Sequence, residues 1–144
     1  MSEFTEPFNI ERVADYFRAQ KYNFSTDEDG DIFTGFDEHN FVLLATGKMR
    51  EIYAIRATWK VSAPIEARTK LAETCNDWNR NKLWPKTYVT VDDEGIVRVH
   101  AETNTDLEHG VGDLQLRQLT DCGVATALQF FKHLDEEYPD TRFL

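Results

Sequence analysis

The chain predicts an α+β fold: an antiparallel β-sheet packed against α-helices, in the order α-β(3-4)-α-β-β-α. Three observations carry this. Apolar residues recur at three- and four-residue spacing near the start, in the middle and at the end of the chain, as amphipathic helices require. Between those segments the pattern changes to alternation, most clearly in EIYAIRATW, Glu51 to Trp59, which is the period of a strand with one buried face. The turns between alternating segments are short, so neighbouring strands run antiparallel, and helices laid on such a sheet make a layered domain. A length of 144 residues fits one domain with a core that needs no staples.

Residues 1–8 read as a flexible N-terminal tail, and a single domain is expected over 9–144. Asn9 is placed to cap a helix from Ile10 to about Lys21, because its side chain can accept from an orphan N–H of the first turn. Ile10, Val13, Ala14 and Phe17 form the apolar stripe of that helix. Short strands follow: YNFST, the turn DEDGD, IFTGF, the turn DEHN, and FVLLATG. In the next strand Tyr53, Ile55, Ala57 and Trp59 face one way, and Ile52, Ala54, Arg56 and Thr58 the other. A second helix is expected with Ser62 as its cap and Pro64 in its first turn. Its stripe is Ile65, Arg68, Leu71, Ala72, Cys75 and Trp78, and it stops before Pro85. KTYVTVD and IVRVHAET then flank a DEG turn in which Gly95 supplies positive φ. Val89, Val91, Val97, Val99 and Ala101 face in; Tyr88, Thr90, Arg98, His100 and Glu102 face out. The last helix runs from about Gly112 to Tyr138, with Leu116, Leu119, Gly123, Ala127, Phe130 or Phe131, and Leu134 inside. Gly123 in mid-helix costs about 1 kcal/mol relative to alanine, which a close approach to the sheet would explain.

The net charge is −10 and the pI about 4.8. Such a field disfavours nucleic-acid backbones and anionic membrane surfaces as partners. The charge is uneven. From Lys48 to Lys86 nine Lys or Arg stand against four acids, so that stretch is +5 and the remainder −15. Cys75 and Cys122 do not make a disulfide framework and are expected as buried, reduced thiols in helices. No signal segment and no run of about 18 apolar residues is visible, so the cytoplasm is the expected compartment.

The chain has no catalytic motif. Asp27, Asp29, Asp31 and Glu38 approach the spacing of a calcium loop, but position 32, where the bend needs glycine, is Ile32. His100 and Glu102 share a strand face within reach of His109, a weak zinc set. Cys75 is followed by an acid, Asp77, which does not activate a thiol. Gly47-Lys48 lacks the upstream glycine of a phosphate loop. No cofactor is therefore expected, and no metal.

The most distinctive stretch is CNDWNRNKLWPKTYV, from Cys75. One reading is architectural: Trp78 covers the sheet at the helix end, Asn79 or Asn81 caps the C-terminus in the left-handed conformation, and Pro85 stops the helix. The other makes Trp78, Asn79, Arg80, Lys82, Trp84 and Lys86 a protein-binding surface, since tryptophan and arginine are enriched at binding hot spots.

The same stretch resembles the YbjN family of bacterial sensory transduction regulators. That family's run of an Asn-Trp-Asn helix end, a short basic linker, an aromatic-valine strand, a glycine turn and a second strand corresponds here to Asp77-Trp78-Asn79, Arg80 to Lys86, Tyr88 to Val91, Gly95, and Val97 to Ala101. The resemblance extends roughly from Phe8 to Leu134. It implies a type III secretion chaperone-like fold, commonly dimeric, with no catalytic residues to carry over. That fold usually has three strands before the middle helix where four are counted here, so two of the four form one bent strand or the chain adds an edge strand. The expected function is a non-enzymatic regulatory or chaperone-like domain that binds protein partners as a homodimer. The alternative is a small-molecule or metal-binding sensor using the His100/Glu102 face or a sheet–helix cleft. A hydrolase of unrecognised type is the third reading.

Overall fold

A computed structural model describes residues 5–139 of the chain. Helix α1 spans Ile10–Gln20, and strands β1 Ser25–Thr26, β2 Ile32–Phe36, β3 His39–Thr46 and β4 Ile52–Thr58 follow. A 3-10 turn at Ile65–Ala67 leads into α2, Arg68–Asn81. Strands β5 Lys86–Val91 and β6 Val97–Asp106 form a hairpin, and α3 spans Asp113–Glu137. The six strands make one antiparallel sheet in the order β1-β2-β3-β4-β6-β5. The chain therefore adds an edge strand before the middle helix: the two-residue β1.

Local chemistry accounts for most boundaries. Asn9 Oδ1 accepts from the Arg12 N–H at 3.1 Å, and Lys21 in the left-handed conformation ends α1. Gly95 holds the hairpin turn at φ 79°. The start of α2 differs from expectation. Ser62 is not its cap: Pro64 and Ala67 precede the 3-10 turn and the helix, neither with a side-chain cap bond. Ile65, placed on the helical stripe by its spacing, lies in the 3-10 turn and is 48% exposed, because three residues per turn move it off the α face. Within the stretch expected to be a tail, the Glu6 carbonyl accepts from Val111 N–H at 2.9 Å and Phe8 packs against Tyr53.

One sheet face carries Phe41, Leu43, Ile55, Ala57, Val99 and Ala101, all buried. The register sets these side by side, Phe41 opposite Ala57 and Ala57 opposite Ala101. Helix α3 lies across this face. At Gly123 it comes close: a Cβ there would overlap Ile55 and sit 3.0 Å from Thr103 Oγ1. Phe130 and Phe131 are both fully buried, because α3 is sandwiched. Phe130 meets Trp78 of α2, and Phe131 meets His39 of the sheet. Thr120, not Leu119, completes the buried stripe, its hydroxyl 2.6 Å from that of Tyr53.

Three further expectations are corrected. Cys122 is exposed on α3, while Cys75 is buried and its thiol pushed up by that burial. Val91 is 39% exposed: it ends an edge strand, whose last residues have fewer neighbours to cover them. Glu102 does lie on the outer face but is only 8% exposed, because Lys86, Tyr88, Arg56 and Asn104 close around it.

His39, which the turn DEHN placed in a loop, is the first residue of β3 and is buried. Its Nδ1 accepts from Lys60 N–H at 2.9 Å, and burial holds its pKa below the ordinary histidine value. The unfolded chain takes up a proton at this residue near pH 6.5 and the folded chain does not. Stability from neutral His39 is complete above that pH and is lost as pH falls through the lower folded value. Thermal denaturation at pH 7 and pH 5 should show a fall in Tm, and His39→Asn, which offers an acceptor at the Nδ1 position but does not titrate, should make that fall smaller.

Candidate functional site

The stretch from Trp78 to Lys86 is where α2 hands over to the sheet. Helix α2 ends at Lys82 in extended conformation, its N–H on the Trp78 carbonyl at 2.8 Å. Neither Asn79 nor Asn81 is a left-handed cap. Asn79 has a different task. Its Nδ2 donates to the Thr87 carbonyl, and its Oδ1 accepts from the Thr87 N–H, both at 2.9 Å. Lys86 and Glu102 face each other in the ladder, so the Thr87 main chain points outward, away from β6. The Asn79 carboxamide thus fills the place of a neighbouring strand, and it blocks an open sheet edge. Thr87 is 3% exposed, and its hydroxyl donates to the Cys75 carbonyl at 3.0 Å. Asn79→Ala would leave a buried donor and acceptor unpaired, each at about 1–3 kcal/mol. The expected loss is about 2–3 kcal/mol in urea denaturation, and Asn79→Asp, which keeps the acceptor, should lose less.

Trp78 does not cover the sheet. Its ring is half-buried against Phe130 and His133 of α3, with Lys82 Nζ over its face at 5.6 Å. Its Nε1 donates to the Trp84 carbonyl at 3.2 Å. Pro85 is buried. Between Lys82, held on the Trp78 carbonyl, and Pro85, Leu83 and Trp84 stand out, 83% and 56% exposed. The architectural and recognition readings of the motif therefore fall on different residues: Trp78, Asn79 and Pro85 build, while Leu83 and Trp84 protrude. Arg80 is exposed and paired to Asp77 at 3.3 Å. Leu83 is the exposed residue that hot-spot composition does not flag; its signal in the sequence is an unpatterned leucine next to tryptophan.

Lys86 leads to the most polar part of the neighbourhood. Glu102 accepts from Tyr88 OH at 2.9 Å and Asn104 Nδ2 at 2.8 Å, with Lys86 Nζ at 3.4 Å and Arg56 Nε at 3.3 Å. Burial alone would raise the pKa of this carboxyl, but the Asn104 and Tyr88 hydrogen bonds and the Lys86 charge hold it below the usual range. Burial and the Glu102 hydrogen bond push Tyr88 up to about 12. His100 has Thr58 Oγ1 at 3.0 Å from Nδ1 and Thr90 Oγ1 at 2.7 Å from Nε2. His109 is 93% exposed beside Glu108. His100, Glu102 and His109 are thus not brought together, and among the described residues no three His, Cys, Asp or Glu side chains gather as metal ligands. In the acidic turn Asp27 Oδ1 accepts from the N–H groups of Asp29 and Asp31, both at 3.0 Å. No described helix is long and apolar enough to cross a membrane.

An antiparallel six-stranded sheet with three helices is the fold of a class of small α+β proteins that includes type III secretion chaperones. The HopA1–SchA chaperone–effector complex contains a chain 13% identical with a TM-score of 0.52, covering 90% of this chain and 99% of that one. The ExsC–ExsE complex contains one 18% identical with a TM-score of 0.54, covering 88% and 90%. Within that class the chain belongs to the YbjN family, whose model, described as "Putative bacterial sensory transduction regulator", matches residues 9–136. The fold of YbjN from E. coli, "a putative transcription regulator", superposes with a TM-score of 0.76 at 11% identity, over 90% of this chain and 93% of that one. No curated protein matches the sequence.

Proposed function

We propose that the chain is a non-enzymatic regulatory or chaperone-like domain that binds protein partners. The surface around Trp78, Asn79, Arg80, Lys82, Trp84 and Lys86 would make the contact. The observation that carries this is the exposure of Leu83 and Trp84 on a turn fixed at one end by Lys82 N–H on the Trp78 carbonyl and at the other by Trp78 Nε1 on the Trp84 carbonyl and by buried Pro85. A turn whose main chain is already fixed loses less entropy on binding, and tryptophan is enriched among hot spots. The HopA1–SchA and ExsC–ExsE structures, in which a chain of this fold is seen in complex, lend support. A homodimer in the cytoplasm, with residues 9–144 as one domain, completes the proposal. Two free cysteines suit a reducing compartment, and the net charge of −10 disfavours nucleic acid and anionic membranes as alternatives.

A crosslinked affinity purification from the native cell tests this, wild type against Arg80→Ala/Trp84→Ala. A partner held by wild type and lost by the variant is the expected result. The same partners on both, or none on either, would reject the surface.

A further inference from the structure

Strand β6 is longer than β5. Its pairing with β5 stops at Lys86 opposite Glu102, yet it continues to Asp106 and stays paired with β4 throughout. The direction of its main chain over the unpaired end follows from the alternation of an antiparallel ladder. On the β4 side Trp59 N–H donates to the Val99 carbonyl at 2.9 Å, and Leu107 N–H to the Glu51 carbonyl at 2.8 Å. Odd-numbered residues of β6 therefore turn their main-chain groups to β4. On the other side Asp92 N–H donates to the Ile96 carbonyl at 3.0 Å, so even-numbered residues turn theirs to β5. Asn104 and Asp106 are the next even positions after Glu102. Among the described residues nothing opposes them, because the chain ahead of Lys86 has left the sheet and the Trp84 carbonyl is bonded to Trp78. No hydrogen bond from a described residue reaches the main-chain N–H or C=O of either.

This open edge is bordered by a groove of about 580 Å³ between the Leu83–Trp84 turn and Leu119 and Cys122 of α3. The groove opens on the helix side of the sheet, over Ile55, Thr103 and Gly123, and reaches the edge itself at Lys86, Glu102 and Asn104. Asn104 and Asp106 project from the other side, the one that also carries Arg56 and Glu102. Lys86 and Arg56 are taken up by Glu102, and past Glu102 this stretch of chain carries acid without base. No lysine or arginine occurs from Val99 to Leu116, and among the described residues Asp106 has no ion pair and Glu108 has only His109.

We propose that the gap beside Asn104 and Asp106 takes an extended segment of a partner protein as an added strand. Apolar side chains of the segment enter the Trp84–Leu119 groove, and a lysine or arginine of it reaches Asp106. The two vacant pairs of main-chain groups supply affinity, and the two-residue alternation of the segment, apolar towards the helices and basic towards the open face, supplies specificity. The outer edge of β5 does not offer the same at its start, where Asn79 already occupies Thr87. The inference rests on the protein-binding reading above and adds the mode of contact and the chemistry of the partner.

Asn104→Pro isolates the edge when it is compared with Asn104→Ala, since both lose the Nδ2 bond to Glu102 and only proline loses the main-chain N–H. It removes the N–H that faces the gap and leaves the β4 ladder intact, since that ladder uses odd-numbered residues; proline is tolerated at such an edge. A displayed library of random decapeptides would be selected on wild type and the enriched peptides measured by fluorescence anisotropy. The expected peptides alternate apolar and basic residues, bind Asn104→Pro about ten-fold more weakly than Asn104→Ala, and weaken again on Asp106→Asn. Binding lost on Trp84→Ala but kept on Asn104→Pro overturns edge pairing and leaves the Trp84 surface standing. Binding kept on both variants, or no enriched peptide at all, overturns the proposal. If Asn104→Pro does not fold, two measurements on wild type decide. Bound peptide must protect the Asn104 and Asp106 amides from hydrogen exchange, and N-methylation of alternate peptide amides must abolish binding; failure of either overturns it.

Discussion

Phe131→Ala is expected to destabilise the fold by about 3–5 kcal/mol, the upper end of what truncating one buried side chain costs. Its ring has no solvent exposure and lies 4.4 Å from the His39 ring and 5.9 Å from that of Phe130, between α3 and the sheet. Alanine removes the transfer energy of the ring and leaves a cavity that β3 and α3, both rigid, close only partly. Phe131→Leu, which refills most of that volume, should cost clearly less. Guanidinium denaturation with an unchanged m-value is the measurement. A loss under about 1.5 kcal/mol would mean that the site collapses freely and that α3 is not seated as described.

Gly123→Leu should cost about 3 kcal/mol. Glycine is normally the poor choice in mid-helix, and on propensity alone leucine would gain up to about 1 kcal/mol. The sign is reversed here because the space for a Cβ is taken by Ile55 on β4 and Thr103 on β6. The loss should appear as a fall in Tm of roughly 10 °C, at about 3 °C per kcal/mol for a chain of this length. A double-mutant cycle with Ile55→Ala gives the cause. If the contact with Ile55 is responsible, the pair will lose less than the sum of the singles. Simple additivity would place the strain elsewhere.

Much of the fold is legible in the chain because its signals are local. Asn9 announces α1 through a hydrogen bond three residues away, Gly95 announces the hairpin through its own φ, and the alternation of Tyr53, Ile55, Ala57 and Trp59 is a period that one strand imposes on itself. The mid-helix glycine is readable too, since a position that offends helix propensity needs a neighbour to excuse it. The candidate site is only half legible. Composition singles out Trp78 and Trp84 together and does not separate the one that packs on α3 from the one that protrudes. Asn79 reads as a cap, because sequence shows that asparagine tolerates the left-handed conformation and does not show that Thr87 will arrive beside it.

By itself, then, the sequence determined the order of elements, the antiparallel pairing of the hairpins, the apolar face of each helix and the likeness to the YbjN family. All of these depend on residues within a few positions of one another or on a contiguous motif. Tertiary structure alone decided which of those faces meet. It buried Glu102 among Lys86, Tyr88 and Arg56, exposed Cys122, sandwiched Phe130 and Phe131 between different partners, and left the β5 side of the end of β6 without a partner among the described residues. Those outcomes turn on contacts between residues far apart in the chain, such as Arg56 with Glu102 and Gly123 with Ile55. A local pattern fixes which way a side chain points from its own element; only the packing of elements fixes what it meets there.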